Sequence, residues 1–167
     1  MAMNARDNRT FTYEATDRLL DELNLTILRC LQQEPRLTMA ELSRRVGLSS
    51  PAVSERVKRL EEASVIQGYS IDIDPTALGL PLCAYVRVRP NAGQLGRIAD
   101  LAREIPEIVE CDRITGEDCF ILKVYLPAMD QLDRLLDRFL VYGNTTTSIV
   151  QSSPVPPRPL PIPEMGS

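Results

Sequence analysis

The stretch "TMAELSRRVGLSSPAVSERVKRLEE", Thr38–Glu62, sets two short helical patterns end to end across a Gly-Leu-Ser-Ser-Pro joint. Thr38 and Glu41 form a T-x-x-E capping box, Leu42 and Val46 give an apolar stripe, and Gly47 stands where a helix ends in a left-handed residue. Ser50 is placed as the next N-cap with Pro51 at the first helical position, and Val53, Val57 and Leu60 then recur at helical spacing to about Ala63. Upstream, "DELNLTILRCL" puts Leu23, Ile27, Leu28 and Leu31 on one face of a further helix that Asp21 can cap. A short helix, a tight turn containing glycine and a longer helix make a helix-turn-helix unit, whose second helix enters the DNA major groove.

With Val53, Val57 and Leu60 turned inward, Ala52, Glu55, Arg59 and Glu62 lie opposite them, and Pro51, Arg56 and Lys58 lie on the flanks. The candidate DNA-contacting residues are therefore Thr38, Arg44, Arg45, Ser49, Ser50, Pro51, Ser54, Glu55, Arg56, Lys58 and Arg59. Ser50, Ser54 and Glu55 are short enough to meet base edges, with Glu55 able to accept from a cytosine amino group or to pair with Arg59 at i,i+4. Arg44, Arg45, Lys58 and Arg59 suit phosphates or guanine. A merely solvated helix face would need cations but neither the capping box nor the glycine joint.

The whole chain is acidic, with a formal net charge of −4, but nucleic-acid binding follows the local field rather than the sum. The sequence contains no histidine, which removes Ser-His and Cys-His nucleophilic catalysis, so the chain is expected not to be an enzyme. Cys30, Cys83, Cys111 and Cys119 are widely spaced with no C-x-x-C, and are expected as reduced, mostly buried thiols rather than metal ligands. No apolar run approaches the ~20 residues of a membrane span. The opening "MAMNARDNRTFTYEATDR" lacks the pattern of a signal or transit peptide, and a soluble cytoplasmic protein is the expectation.

After "VIQGYSIDIDP", an extended piece alternating beyond Gly68, the patterning changes from helical to mixed. "LCAYVRVRP" alternates with period two, "LGRIADLAREI" is helical, and "IVECDRIT" and "CFILKVYL" are strands around a tight Gly116-Glu117-Asp118 loop. "QLDRLLDRFL" is a strongly amphipathic helix and "TTTSIVQ" a β-branched strand. With right-handed crossovers this order gives a four-stranded antiparallel sheet with both helices on one face, the ferredoxin-like arrangement. An apolar open sheet face is expected, and with it a homodimer. The fold class is α+β, with an extension over 1–19, a winged helix-turn-helix domain over 20–66, a linking strand and hinge over 67–80, a C-terminal domain over 81–153 and a proline-rich tail over 154–167. That tail, "PVPPRPLPIPEMGS", is expected extended or mobile, solvated or lying against a neighbour in preference to serving as a proline-motif ligand.

The stretches "LDELNLTIL", "TMAELSRRVGLSSPAVSERVKRLEEASVIQGYSIDIDPTALG" and "ITGEDCFILKVYLPAMDQLDRLLDRF" resemble the Lrp/AsnC (leucine-responsive, feast/famine) transcriptional regulators, over roughly Leu20 to Val150. The resemblance implies a DNA-binding winged helix-turn-helix domain, a linking strand and a βαββαβ effector-binding domain, in dimers that often assemble into octameric rings. It further implies a small effector, an amino acid or related metabolite, at the loop between the second and third strands of the C-terminal domain. That loop corresponds to Thr115, Gly116, Glu117, Asp118, Cys119 and Phe120, where backbone N–H groups can hold a carboxylate and Asp118 or Glu117 an ammonium. Asn24 and Leu25 depart from the pattern, standing where an acid and a basic residue are usual. Two rival readings remain: an architectural, nucleoid-type DNA-binding protein without a working effector site, and a metabolite-sensing subunit of an enzyme complex.

Overall fold

The structure, a computed structural model, describes residues 19–164. The expected N-terminal extension over 1–19 lies outside them except for Leu19. The described chain forms two compact units, residues 19–71 with 157–164 and residues Asp72–Pro156.

The first unit is a three-helix body. Helix α1 spans Glu22–Gln33 and starts at Asp21, whose carboxylate accepts from the Asn24 backbone N–H at 2.7 Å. Helix α2, Met39–Val46, opens with both arms of the expected box: Glu41 N–H donates to Thr38 Oγ1 at 3.2 Å and Thr38 N–H to Glu41 Oε2 at 2.9 Å. It ends at Gly47, where φ is 69°, a left-handed conformation that costs glycine nothing. Helix α3 covers Ser50–Glu62. Its N-cap is Ser49 rather than Ser50: the extended backbone of Ser49 aims its hydroxyl at the Ala52 N–H, 3.4 Å away. Ser50 is already helical, and its hydroxyl stands 3.1 Å from that of Ser43 on α2. Ile27, Leu31, Leu42, Val46, Val53, Val57 and Leu60 fill the core between the helices.

The linking strand expected within 67–80 does not form: residues 67–74 pair with no other strand among the described residues. A ladder needs a second backbone to take up its N–H and C=O groups, and no described segment supplies one. Tyr69 instead donates its hydroxyl to Glu61 Oε1 of α3 at 3.0 Å. One 3-10 turn, Pro75–Leu78, capped by Asp74, follows in the second unit.

That unit comprises β1 Leu82–Pro90, α4 Leu95–Glu104, β2 Ile108–Arg113, β3 Phe120–Leu126, α5 Met129–Leu140 and β4 Gly143–Ile149. The strand order is β2-β3-β1-β4, every pair antiparallel, which is the ferredoxin-like topology the sequence implied. Ala84, Val86, Val88, Leu122 and Val124 on one sheet face pack with Ile98, Leu101, Leu132, Leu135 and Phe139 of the two helices. Gly143 lies opposite Pro90 in the ladder. A Cβ there would stand 2.9 Å from Pro90 Cα and nearer still to the Arg89 carbonyl oxygen, so only glycine permits this approach.

Two expectations are corrected. The open sheet face is mixed rather than apolar: α4 and α5 cover the apolar set of each strand, and Tyr85, Ile121 and Tyr125 lie among charged and hydroxyl side chains on the other face. Arg87 and Thr146 are paired across β1 and β4, and Lys123 and Glu110 across β3 and β2, with Tyr85 beside Lys123. The cysteines are also less buried than expected. Cys30, Cys83 and Cys119 are half-buried and free, and Cys111, on the sheet-edge strand β2, is exposed.

Candidate nucleic-acid interface and effector loop

Burial of Val53, Val57 and Leu60 fixes which side of α3 faces solvent. Ser49, Pro51, Ser54, Glu55, Lys58 and Arg59 are exposed there, Ser50 is half-buried, and Arg44 and Arg45 are exposed on α2. The structure thus brings nearly all the sequence-derived candidates onto accessible surface of one unit. Over residues 20–66 cations and acids are equal in number, so any attraction for phosphate comes from their arrangement.

The ion pairs sort the cations. Arg59 Nε meets Glu55 Oε1 at 2.9 Å and Lys58 Nζ lies 3.7 Å from Glu62 Oε1, both exposed i,i+4 pairs. Such pairs are worth about 0.3–0.5 kcal/mol, little enough for a phosphate to displace. Arg45 grips Glu34 through both Nη atoms at 2.7 and 2.9 Å, and this bidentate contact holds the Glu34 carboxyl below its ordinary range. Arg44 donates to the Ala40 carbonyl at 3.3 Å and makes no ion pair among the described residues. Thr38 spends its hydroxyl on Glu41.

Arg56 differs from the rest. Its Nη1 donates to Asp21 Oδ2 at 2.7 Å and to Asn24 Oδ1 at 2.9 Å, tying α3 to the start of α1. The buried Asn24 side chain also donates to the Leu19 carbonyl at 2.6 Å. An amide suits this position, because a carboxylate would face that carbonyl without a proton to donate. Burial raises the Asp21 carboxyl, but the Asn24 amide and the Arg56 guanidinium outweigh it and hold the group below its ordinary value.

In the second unit, the loop between β2 and β3 is closed by the Ile114 N–H on the Cys119 carbonyl at 2.9 Å, and anchored to β1 by the Cys119 N–H on the Val88 carbonyl at 3.0 Å. Gly116 has φ 121°, a conformation reserved for glycine. Thr115, Gly116 and Glu117 are exposed and Asp118 is half-buried. Asp118 lies between two β1 guanidinium groups, 3.7 Å from Arg87 Nε and 3.7 Å from Arg89 Nε, and Glu117 pairs with Arg89 as well. Phe120 is 4 % exposed and belongs to the helix-side core, not to the loop surface. Sequence reasoning missed Arg87 and Arg89 as neighbours of this loop. Their alternation in "VRVR" put them on the open face, but only the β1–β3 pairing brings that face to the loop.

A helix-turn-helix body joined to a βαββαβ unit with a polar, glycine-bearing loop defines the class of DNA-binding regulators that carry a sensory domain. Residues 20–67 match the winged helix-turn-helix DNA-binding family model, and residues 83–160 match that of the Lrp/AsnC ligand-binding domain. The chain belongs to the Lrp/AsnC family of transcriptional regulators. It is 32% identical over 133 residues to the transcriptional regulator LrpC of Bacillus subtilis, covering 80% of this chain and 92% of that protein. A Neisseria meningitidis transcriptional regulator in complex with L-Met superposes with TM-score 0.76 at 30% identity, covering 85% of this chain and 96% of that one. The feast or famine regulatory protein of M. tuberculosis complexed with L-methionine gives TM-score 0.79 at 33% identity, covering 86% and 99%. The architectural, nucleoid-type alternative is not favoured, since these relatives are regulators. Among the described residues no helix is long and apolar enough to cross a membrane.

Proposed function

We propose that the protein controls transcription in the cytoplasm, associated with the nucleoid, by placing the outer face of α3 in the DNA major groove, and that an amino acid modulates this binding. The observation that carries the reading is the exposed face of Ser49, Pro51, Ser54, Glu55, Lys58 and Arg59 on a capped recognition-type helix. Arg44 and Arg45 of α2 would reach the flanking phosphates. Ser50 and Thr38 would act from the rim, and Arg56 would position the helix without touching DNA. The protein acts by binding rather than by catalysis, and needs no cofactor beyond its effector.

The effector is proposed to be an amino acid held at Thr115–Cys119, a reading supported by the L-methionine bound to two relatives. Arg87 and Arg89 would offer the carboxylate partner, and Asp118 and Glu117 the ammonium partners, exchanging intramolecular pairs for ligand pairs. The assembly is proposed as a homodimer built on the open sheet face, extending to an octamer. The charges on that face favour an isologous contact, in which Lys123 of each copy meets Glu110 and Asp112 of the other.

A thermal-shift screen of the twenty amino acids, beginning with L-methionine, tests the sensing, because a ligand bound only by the folded protein raises its melting temperature. A gel shift with the chain's own promoter DNA, with and without the hit, tests the coupling. No amino acid raising the melting temperature would remove the effector part of the proposal, and no retarded promoter fragment would remove the DNA part.

A further inference from the structure

The proline-rich tail is not free. Residues 157–164 belong to the same compact unit as the three helices. Two side chains of α1 hold them: Arg29 Nη2 donates to the Pro163 carbonyl at 2.6 Å, and Gln32 Nε2 donates to the Leu160 carbonyl at 2.9 Å. Ile162, between the two accepting residues, is half-buried, whereas Leu160 points outward at 81% exposure.

The match has a geometric basis. Arg29 and Gln32 are i,i+3 neighbours and so share one face of the helix. The alternating prolines favour polyproline II, which has three residues per turn and would point the carbonyls of Leu160 and Pro163 the same way. Its repeat over three residues, roughly 9 Å, exceeds the helical spacing of about 5–6 Å, and the long arginine arm spans the difference. Chemistry agrees with geometry. Pro157, Pro159, Pro161 and Pro163 have no N–H, so along this backbone carbonyl acceptors outnumber the N–H donors, which remain at Arg158, Leu160 and Ile162. Arg29 and Gln32 supply only donors at this contact.

We propose that the Arg29–Gln32 face of α1 is a docking site for a polyproline II segment, and that its occupant is this chain's own tail, Pro157–Pro163. The helix-turn-helix unit is then discontinuous in sequence. The effector unit is inserted into it, tethered at both of its ends rather than at one.

The test uses a synthetic peptide of residues 154–164, fluorescently labelled, titrated by anisotropy against the full chain and against a chain ending at Ser153. A tethered segment acts at an effective concentration of order millimolar, so it should shut out the free peptide. Binding to the shortened chain, with at least tenfold weaker binding to the full chain, is the expected result. In the shortened chain Gln32→Glu, which keeps the side chain's size but sets a carboxylate against the Leu160 carbonyl, should weaken the peptide at least tenfold, as should Arg29→Ala. Circular dichroism of both variants establishes that the helices remain. Equal affinity for full and shortened chains would mean the tail does not occupy the site. Undiminished binding by folded Gln32→Glu and Arg29→Ala would place the site elsewhere, and no binding to the shortened chain up to millimolar peptide would refute the docking altogether.

Discussion

Arg56 Nη1 lies 2.7 Å from Asp21 Oδ2, joining the middle of the recognition-type helix to the cap of the first helix across 35 residues of sequence. The same nitrogen donates to the buried Asn24. One guanidinium thus ties α3 to the start of α1 beside the apolar core the two helices share.

Removing that group separates architecture from DNA recognition. Arg56→Ala is expected to destabilise the first unit by roughly 1–3 kcal/mol, the worth of a hydrogen bond to a charged group and of the partners left behind. Promoter affinity, measured well below the melting temperature, should change by only a few-fold. A large drop in DNA binding with unchanged stability in urea titration would make Arg56 a DNA-touching residue instead.

Asp21 makes the same link sensitive to acid. Its folded-state carboxyl sits below the ordinary 3.8, so the unfolded chain takes up the proton first as pH falls. The stabilisation is fully present above that ordinary value and is lost as pH drops through the lower folded value. Melting temperatures followed from pH 6 to pH 2.5 should therefore decline less steeply in Asp21→Asn than in the wild type. Parallel curves would show that the carboxylate contributes nothing.

At the proposed interface the cations should behave as phosphate partners. Lys58→Ala or Arg59→Ala should weaken promoter binding, leave the melting curve within about 0.5 kcal/mol of wild type, and lower the slope of log affinity against log salt by about one for each phosphate left unneutralised. Filter binding across a salt series reads both quantities, and an unchanged slope in each variant would move the interface off α3.

For the loop, Asp118→Ala removes the carboxylate lying between Arg87 and Arg89. Calorimetry with the amino acid found in the screen should show its affinity reduced by at least tenfold, while ligand-free DNA binding stays within a few-fold, because Asp118 belongs to the other unit. Wild-type ligand affinity would rule Asp118 out as an effector partner. Abolished DNA binding without ligand would make it a structural residue.

Gly143→Ala probes the sheet itself. The added Cβ would enter the backbone of Arg89 and Pro90, so either the β1–β4 ladder parts at that end or the strand shifts. A loss of at least 1–3 kcal/mol is expected, as for overpacking in a filled core, and amide exchange at Asn91, whose N–H is held by the Tyr142 carbonyl at 2.8 Å, should accelerate. Wild-type stability would mean that the hairpin end adjusts freely.

The sequence by itself determined the helices and the four strands of the sheet, though not the fate of the linking segment. Capping and periodicity act between residues three or four apart, so Thr38, Glu41 and Gly47 marked α2, and Val53, Val57 and Leu60 marked the buried side of α3, without knowledge of any other element. Alternation in β1 and the apolar stripe of α5 likewise fixed which faces turn inward, and with them the βαββαβ order. Tertiary structure decided the partners of the polar side chains, because those depend on residues distant in sequence that only packing brings within hydrogen-bond reach. Arg56 looked like any cation of the recognition-type helix until α1 placed Asp21 and Asn24 beside it. Phe120 read as a loop residue until β3 turned it into the core. Arg87 and Arg89 were legible only as the alternates of Val86 and Val88 until pairing with β3 set them against Asp118, and the proline tail only as an extended segment, solvated or against a neighbour, until Arg29 and Gln32 took its carbonyls.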